Sequence, residues 1–402
     1  MEDSPMKLAR LFGIALVIAL VAAAFGLPRP IQAQDELVIG YILVGPQNDK
    51  GWSQAHFEGA EYVEKMIPGV KKIVLDKLNG ADRPNVTLEQ VVESMVEQGA
   101  KLIFTTSDEF GPDTLKAAEK FPDVIFIHVS GDGVLKKVAP PNVGNVMGKM
   151  EYMKQVAGCA AALKTQTNSI AYLGPLINDE TRRLAASVYL GARYCFEKYR
   201  GGKAADLTFE VKWIGFWFNI PGVTLDPTEV ANGFFNGGAD VIVSGIDTTE
   251  GTVVAKQRAD KGEKVFAIPY DFQGACEIAP EICLGTPYFH WGPSYVNIVK
   301  AVKEGTWKPA WDWLSPDWSD INNPDTSNLG FVKGAALSED EGKIIDAFIA
   351  ALGDGSVNLF TGPLNFQDGT VYLKEGEVAT DEQIWYLPQL LEGMKGESKP
   401  AN

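Results

Sequence analysis

The sequence predicts an α/β protein of two doubly wound lobes, each a parallel sheet flanked by helices. Three observations carry that expectation. Short β-rich apolar runs alternate with longer segments of helical period, the pattern of parallel strands joined by crossover helices. The alternation comes in two successive series that match in period but not in residues, which means two similar lobes and not a solenoid of repeats. The chain is 402 residues long with 46% hydrophobic side chains, enough for buried cores and too much for a single one.

The first residues set the compartment. Lys7 and Arg10 precede an apolar run from Leu11 to Gly26, and polar residues follow from Gln32 to Asp35. That order reads as a secretory signal peptide over 1–33, with small residues near Ala33 suiting cleavage before Gln34. The run is about 16 residues, short of the roughly 20 that span a bilayer. An uncleaved N-terminal anchor is the alternative, opposed by Pro28 and Pro30 just beyond the run. Either way the remaining chain lies outside the cytoplasm. No Cys sits near the cleavage point to take a lipid, which favours a freely diffusing periplasmic form.

Strands of the first series are expected at 36–44, 71–75, 102–106 and 124–128, with helices at 53–66, 87–98 and 113–120 that open near Ser, Thr or Asp as N-caps do. The second series places strands at 169–173, 207–214, 241–244 and 264–268, and helices at 180–199, 226–236 and 251–261. Beyond Cys276 the pattern loosens. A helix at 294–303, a Trp-rich stretch at 307–318 and a helix at 338–352 read as returns between the lobes. The stretch 360–373 contains Asp368-Gly369, which favours a hairpin. The expected division is lobe 1 at 34–148 plus about 277–325, lobe 2 at 149–276 plus about 326–392, and a loose tail at 393–402.

A net charge of −16 argues against nucleic acid or an anionic membrane as partner, since both require surplus Lys and Arg. Of four cysteines, Cys276 and Cys283 flank a short Pro-containing loop whose ends can approach to disulfide distance. Cys159 and Cys195 fall in helix-like segments and are open to two readings, a second disulfide or two buried thiols.

Ligands of open α/β sheets bind beyond the carboxyl ends of the strands, so the residues after each strand are the informative ones. After the first come Gly45-Pro46-Gln47-Asn48-Asp49-Lys50-Gly51-Trp52-Ser53-Gln54; after the third, Thr105-Thr106-Ser107-Asp108. The second lobe contributes Trp217-Phe218-Asn219, Gly245-Ile246-Asp247-Thr248-Thr249 and Tyr270-Asp271-Phe272. A planar heterocycle demands such a set: two aromatic faces to sandwich it, and carboxylates or hydroxyls to read its edge. Trp52 and Trp217, one from each lobe, supply the faces. Asp49, Asp247 and Asp271 accept from ring N–H or amino groups, and Ser107 donates or accepts. Against this, a lone Trp after a strand is commonly core packing, and Asp49 or Asp247 at a strand-to-helix turn serves equally as an N-cap. His56 and His128 read as structural, whereas His290, beside Trp291-Gly292-Pro293 at an expected crossing, is a candidate for the cleft. No dinucleotide fingerprint, P-loop, zinc-binding His-Glu pair, Cys-x-x-Cys or nucleophile elbow is present, and no cofactor or metal is expected.

The segment Gly45–Trp52 resembles the early signature of the basic membrane protein family of ABC-transporter substrate-binding proteins, which includes purine nucleoside receptors. Further blocks resemble the family in the same order: Ile103-Phe104-Thr105-Thr106-Ser107, Lys120-Phe121-Pro122-Asp123-Val124, Trp217-Phe218-Asn219, Trp291-Gly292-Pro293, Gly305-Thr306-Trp307, and Phe360-Thr361-Gly362-Pro363 with Gln367-Asp368-Gly369-Thr370. The resemblance implies a type I periplasmic-binding-protein fold with three crossings between the lobes, a purine as ligand, an ABC permease as partner, and a monomer with no catalytic activity. It assigns Trp52 and Trp217 as stacking aromatics, Ser53 to a position where nucleoside receptors carry Asn, Asn219 to the second aromatic block, and Asp271 to the ribose side. A Lys near the ribose in nucleoside receptors is replaced here by Tyr288-Phe289-His290-Trp291, and Trp replaces Phe at both stacking positions. Those departures suit a free base such as adenine at least as well as a nucleoside. A ligand-presenting sensor and a nucleoside-cleaving enzyme are the alternatives.

Overall fold

The computed structural model describes residues 36–400, so the expected signal peptide lies outside the described residues. The chain begins with five strands, β1 (Leu37–Ile42), β2 (Val70–Leu75), β3 (Ala100–Thr105), β4 (Ile125–Val129) and β5 (Val143–Gly148), with helices α1 (Trp52–Met66), α2 (Leu88–Glu97) and α3 (Gly111–Lys120) between them. All pair in parallel, and β1 lies between β2 and β3. A second parallel series follows: α4 (Glu151–Lys164), β6 (Ser169–Gly174), α5 (Asp179–Arg200), β7 (Thr208–Trp213), α6 (Pro227–Asn236), β8 (Val241–Ser244), α7 (Glu250–Ala259) and β9 (Phe266–Ile268). Here β6 lies between β7 and β8, which repeats the order of the first sheet.

Three passages join the lobes. The first is the step from β5 into α4. The second and third are β10 (Gly285–Phe289) and β12 (Leu329–Lys333), which run antiparallel to each other. Between them α8 (Gly292–Lys303) packs on α1, and β11 (Trp311–Leu314) adds an edge strand beside β5. The Trp-rich stretch thus completes the first sheet. After β12, α9 (Glu339–Gly353) packs on α4; then β13 (Leu364–Asn365) and β14 (Val371–Leu373) form the expected hairpin, with Gly369 at φ 82° in its turn. The short helix α10 (Asp381–Trp385) packs on α5.

Local signals explain the helix starts. Thr87 with Gln90, Asn178 with Thr181, and Ser338 with Glu341 form reciprocal capping boxes at α2, α5 and α9. Several elements escape the sequence pattern, among them the crossing strands β10 and β12, the strand β5 and the helix α4. In β5, Gly144 and Asn145 interrupt the apolar run, yet every residue is buried. Helix α4 is buried on nearly all sides and shows no one-sided apolar stripe.

The tail at 393–402 is not loose over its described residues. Strand β15 (Met394–Lys395) pairs in parallel with β7, Trp213 Nε1 donates to Glu397 O at 2.7 Å, and Arg182 Nη1 to Ser398 O at 3.2 Å. The open edge of β7 presents unpaired backbone groups, and the tail satisfies them.

Helices α4 and α5 form the densest contact of the second lobe. A Cβ on Gly158 would lie 1.9 Å from Val188 O, and one on Gly191 would lie 2.0 Å from Gln155 O. Cys159 and Cys195 join the same faces with Cα atoms 5.1 Å apart, and Cys276 is bonded to Cys283 at a Cα separation of 5.6 Å. Arg183 meets Glu151 at 2.7 Å in the buried seam. Gly158→Ala is therefore expected to destabilise the protein by about 1–3 kcal/mol through overpacking, seen as a lower urea midpoint; an unchanged midpoint would refute the close approach.

Candidate ligand-binding site

In each sheet the first strand of the series has neighbours on both sides. The connections leaving its carboxyl end diverge there, opening a crevice. The two crevices face each other across one small cavity lined by residues of both lobes. Trp52 follows β1, Ser107 and Asp108 follow β3, and Ser130 follows β4; from the other lobe, Glu180 follows β6, Trp217 β7, Asp247 β8, and Tyr270 with Asp271 β9. A wider, more open cleft adjoins the cavity and shares Asp108, Ser130 and Glu180 with it.

Of the residues expected to bind ligand, five line this cavity: Trp52, Ser107, Trp217, Asp247 and Asp271. Asp49 and Ser53 stand one layer back and build the turn that delivers Trp52. The Asp49 carboxylate accepts from the N–H groups of Gly51, Ser53 and Gln54 at 2.8–3.0 Å, and Ser53 Oγ accepts from Gly45 N–H at 2.9 Å. Two further expectations are corrected. Asn219 turns into its own loop, where its Oδ1 accepts from Thr224 Oγ1 at 3.1 Å, because the Gly215–Thr224 segment closes on itself. His290 packs edge-on to Tyr62 and lies 3.3 Å from Ser327 O, because the backbone of β10 carries it to the outer side of the crossing. Asp108, Ser130, Glu180 and Tyr270 were not expected. Asp108 and Tyr270 directly adjoin the candidates Ser107 and Asp271, and Ser130 follows β4 directly and was open to the same rule, whereas Glu180, in the first turn of α5, has no such signal.

The two indoles are held differently. Trp52 donates from Nε1 to Thr106 O at 2.6 Å and stands edge-on to His56, Phe289 and Trp291, with ring centroids 4.5–5.5 Å away. His56 and Phe289 in turn stack on Trp291, so Trp52 rests on a layer of rings within the core. Trp217 lies in the loop after β7; its Nε1 donates to Asp108 Oδ1 at 2.9 Å, and its carbonyl accepts from Asp247 N–H at 2.9 Å.

Carboxyl groups supply most of the remaining wall. Burial pushes Asp108 up to about 6 and Glu180 up to about 7, and raises Asp247 and Asp271 well above the usual carboxylate range; neighbouring carboxylates push Asp247 further the same way. Asp49, behind the wall, is raised by burial to about 6 despite its three N–H donors. Asp271 is fully buried and neither of its oxygens has a hydrogen-bond partner within the protein. Its backbone, like that of Ser130, adopts positive φ, a strained conformation held where the cavity needs it. Lys154 lies nearby, but its Nζ donates to Ser244 O at 2.8 Å and sits 3.0 Å from the centre of the Tyr270 ring. Ser107 Oγ accepts from Glu109 N–H, and His128 Nε2 lies 2.8 Å from the Ser107 carbonyl, not its hydroxyl, so the two form no nucleophile–base pair. Among the described residues, no group of three or more His, Cys, Asp or Glu could hold a metal ion.

Two lobes meeting at one cavity at the carboxyl ends of both sheets are the arrangement of a solute-binding protein. The chain belongs to the Bmp family, described as ABC transporter substrate-binding protein PnrA-like, which it matches over residues 36–314. It is 31% identical over 374 residues to a purine-binding protein of Brucella abortus, covering 92% of this chain and 95% of that one. Its fold is that of ABC transporter solute-binding proteins from Aeropyrum pernix K1 (TM-score 0.62, 13% identity, 89% and 100% of the two chains) and Conexibacter woesei (TM-score 0.59, 19% identity, 80% and 98%). Among the described residues no helix is long and apolar enough to cross a membrane.

Two outcomes test the site. A Cβ on Gly51 would lie 1.6 Å from Asp247 O, across the junction of the lobes. Gly51→Ala is expected to weaken ligand binding at least tenfold, about 1.4 kcal/mol, while the melting temperature of the ligand-free protein changes little; unchanged affinity would refute the contact. Glu180 is raised from 4.5 to about 7, so its contribution to stability is greatest below pH 4.5 and is lost as pH rises through 7. Glu180→Gln does not titrate, and its stability relative to wild type should rise by up to about 3 kcal/mol across that window. Melting curves from pH 4.5 to 8 check this, and a constant gap would count against it.

Proposed function

We propose that the protein is the extracytoplasmic receptor of an ABC importer, and that it closes its two lobes on a purine, with a free base such as adenine favoured over a nucleoside. The observation that carries the reading is the pairing of Trp52 and Trp217, one indole from each lobe, on a single small cavity otherwise edged by carboxyl and hydroxyl groups. Stacking on an aromatic side chain stabilises a base by about 1–3 kcal/mol. Raised carboxyl groups offer both acceptors and acidic O–H donors, which matches a ring that carries N–H groups and unprotonated nitrogens together. The nearest cations are engaged elsewhere, Lys154 with Ser244 and Arg183 with Glu151, so the wall offers little to a phosphate, and nucleotides are disfavoured. The purine-binding relative supports the ligand class. Two disulfides and the export signal read from residues 1–33 support an oxidising location outside the cytoplasm.

Isothermal titration of the mature protein against adenine, adenosine, guanine, guanosine and xanthine tests the reading, and heat is expected with at least one of them, strongest for a free base. No heat with any of the five would exclude a purine. Trp52→Ala and Trp217→Ala should each weaken binding by about 1–3 kcal/mol; full affinity in both would mean that the indoles are packing residues only.

A further inference from the structure

We propose that Asp108 is a positioning residue that couples lobe closure to the shape of the ligand slot. Asp108 belongs to the first lobe, directly after β3, and lines the cavity. Two side-chain donors reach it from the second lobe: Trp217 Nε1 to Oδ1 at 2.9 Å and Asn178 Nδ2 to Oδ2 at 2.9 Å. One carboxylate therefore holds the indole that forms a face of the slot and the N-cap of α5, the helix whose first turn carries Glu180 into the same cavity.

The geometry makes these bonds conditional. With the lobes apart, Trp217 has neither partner for its N–H nor a fixed roll about its side-chain bonds, because it sits in a loop and not on a helix or strand. With the lobes shut, Asp108 sets the plane of the ring. Asn178 accepts from Thr181 N–H through its other side-chain atom, so the pull on Asp108 is transmitted to the first turn of a 22-residue helix. The wall at Trp52 is of another kind, since its N–H partner, Thr106, and its flanking His56 belong to its own lobe. One face of the slot is thus preformed and the other is assembled by closure. A hydrogen bond to a charged group contributes enough to change a rate by about 10- to 100-fold.

The inference uses the purine reading only for its probe. Stopped-flow binding of adenine is measured for wild type, Asp108→Ala, Trp217→Phe, which keeps a ring but deletes the N–H, and the double variant. The dissociation rate is expected to rise about 10- to 100-fold in each single variant with the association rate within about threefold, and the double variant is expected to be no worse than Asp108→Ala. Asn178→Asp keeps a capping acceptor but faces Asp108 with a like charge, and should raise the dissociation rate without lowering the melting temperature of the ligand-free protein. Multiplied losses in the double variant, or a lower melting temperature with unchanged dissociation, would overturn the proposal and leave Asp108 a structural residue. No binding of any purine by wild type sinks the purine reading and not the latch. In that case the radius of gyration of ligand-free Asp108→Ala, from small-angle scattering, should exceed that of wild type, and equal radii would overturn the latch on their own.

Discussion

Burial of carboxyl groups is the constraint around which this molecule is arranged. Asp108, Glu180, Asp247 and Asp271 share one small cavity, and burial is the first cause of the upward shift in all four. An isolated ionised carboxylate in such a place is costly, and the protein relieves the cost in different ways. Asp108 receives two donors from the opposite lobe, Glu180 lies 3.8 Å from Arg183, and Asp271 has Lys154 nearby. Asp271 is the least satisfied of the four, with only Lys154 and its neighbour Tyr270 close enough to ease the charge of its carboxyl group. Raised carboxyl groups donate as well as accept, so a ligand whose edge carries both N–H groups and unprotonated nitrogens completes the set, and one without a polar edge leaves buried groups unpaired. Selection against the wrong ring then comes from unpaired polar atoms more than from shape.

The fold produces this concentration of acids without special loops. A strand with neighbours on both sides sends its connections apart, and the same order occurs in both sheets. Every cavity residue lies in a connection leaving the carboxyl end of a parallel strand or in the first turn of the helix that follows it, so two copies of one topological feature, set face to face, enclose the cavity. The aromatic layer of His56, Phe289 and Trp291 anchors one wall in the core, and the crossing strand β10 supplies part of that layer. A passage between the lobes is therefore also part of the backing of the wall at Trp52.

Much of the architecture was legible in residue order because it follows from periodicity. All eight strands expected from the two series are present, and the Asp-Gly pair marks a real hairpin. The misses have physical causes. Helix α4 is enclosed on nearly every side and lacks the stripe that betrays a surface helix, and β5 is broken in sequence by Gly144 and by Asn145, whose side chain serves Val134 N–H and His128 O. The tail reads as polar, yet a short parallel strand needs only backbone groups. At the site, positions that follow a strand directly were readable, which is why Trp52, Ser107, Trp217, Asp247 and Asp271 stand together. Glu180 enters from the first turn of a long helix, a placement spacing does not encode, whereas Ser130 directly follows β4 and carried the same signal as the residues that were read.

Both walls of the cavity end in an indole. Stacking alone would be served by any flat ring, and a phenyl group would leave no polar atom to satisfy. An indole carries one N–H, and in both walls that N–H is committed: to a carbonyl of its own lobe at Trp52, and to a carboxylate of the opposite lobe at Trp217. A single donor fixes the roll of a ring that packing would leave free to pivot. In the proposed latch, Trp52 is held within its own lobe and Trp217 takes its plane from Asp108 of the opposite lobe. Recognition and closure are thereby joined in one hydrogen bond, in which the acid that closure desolvates receives a donor from the very ring that closure must align.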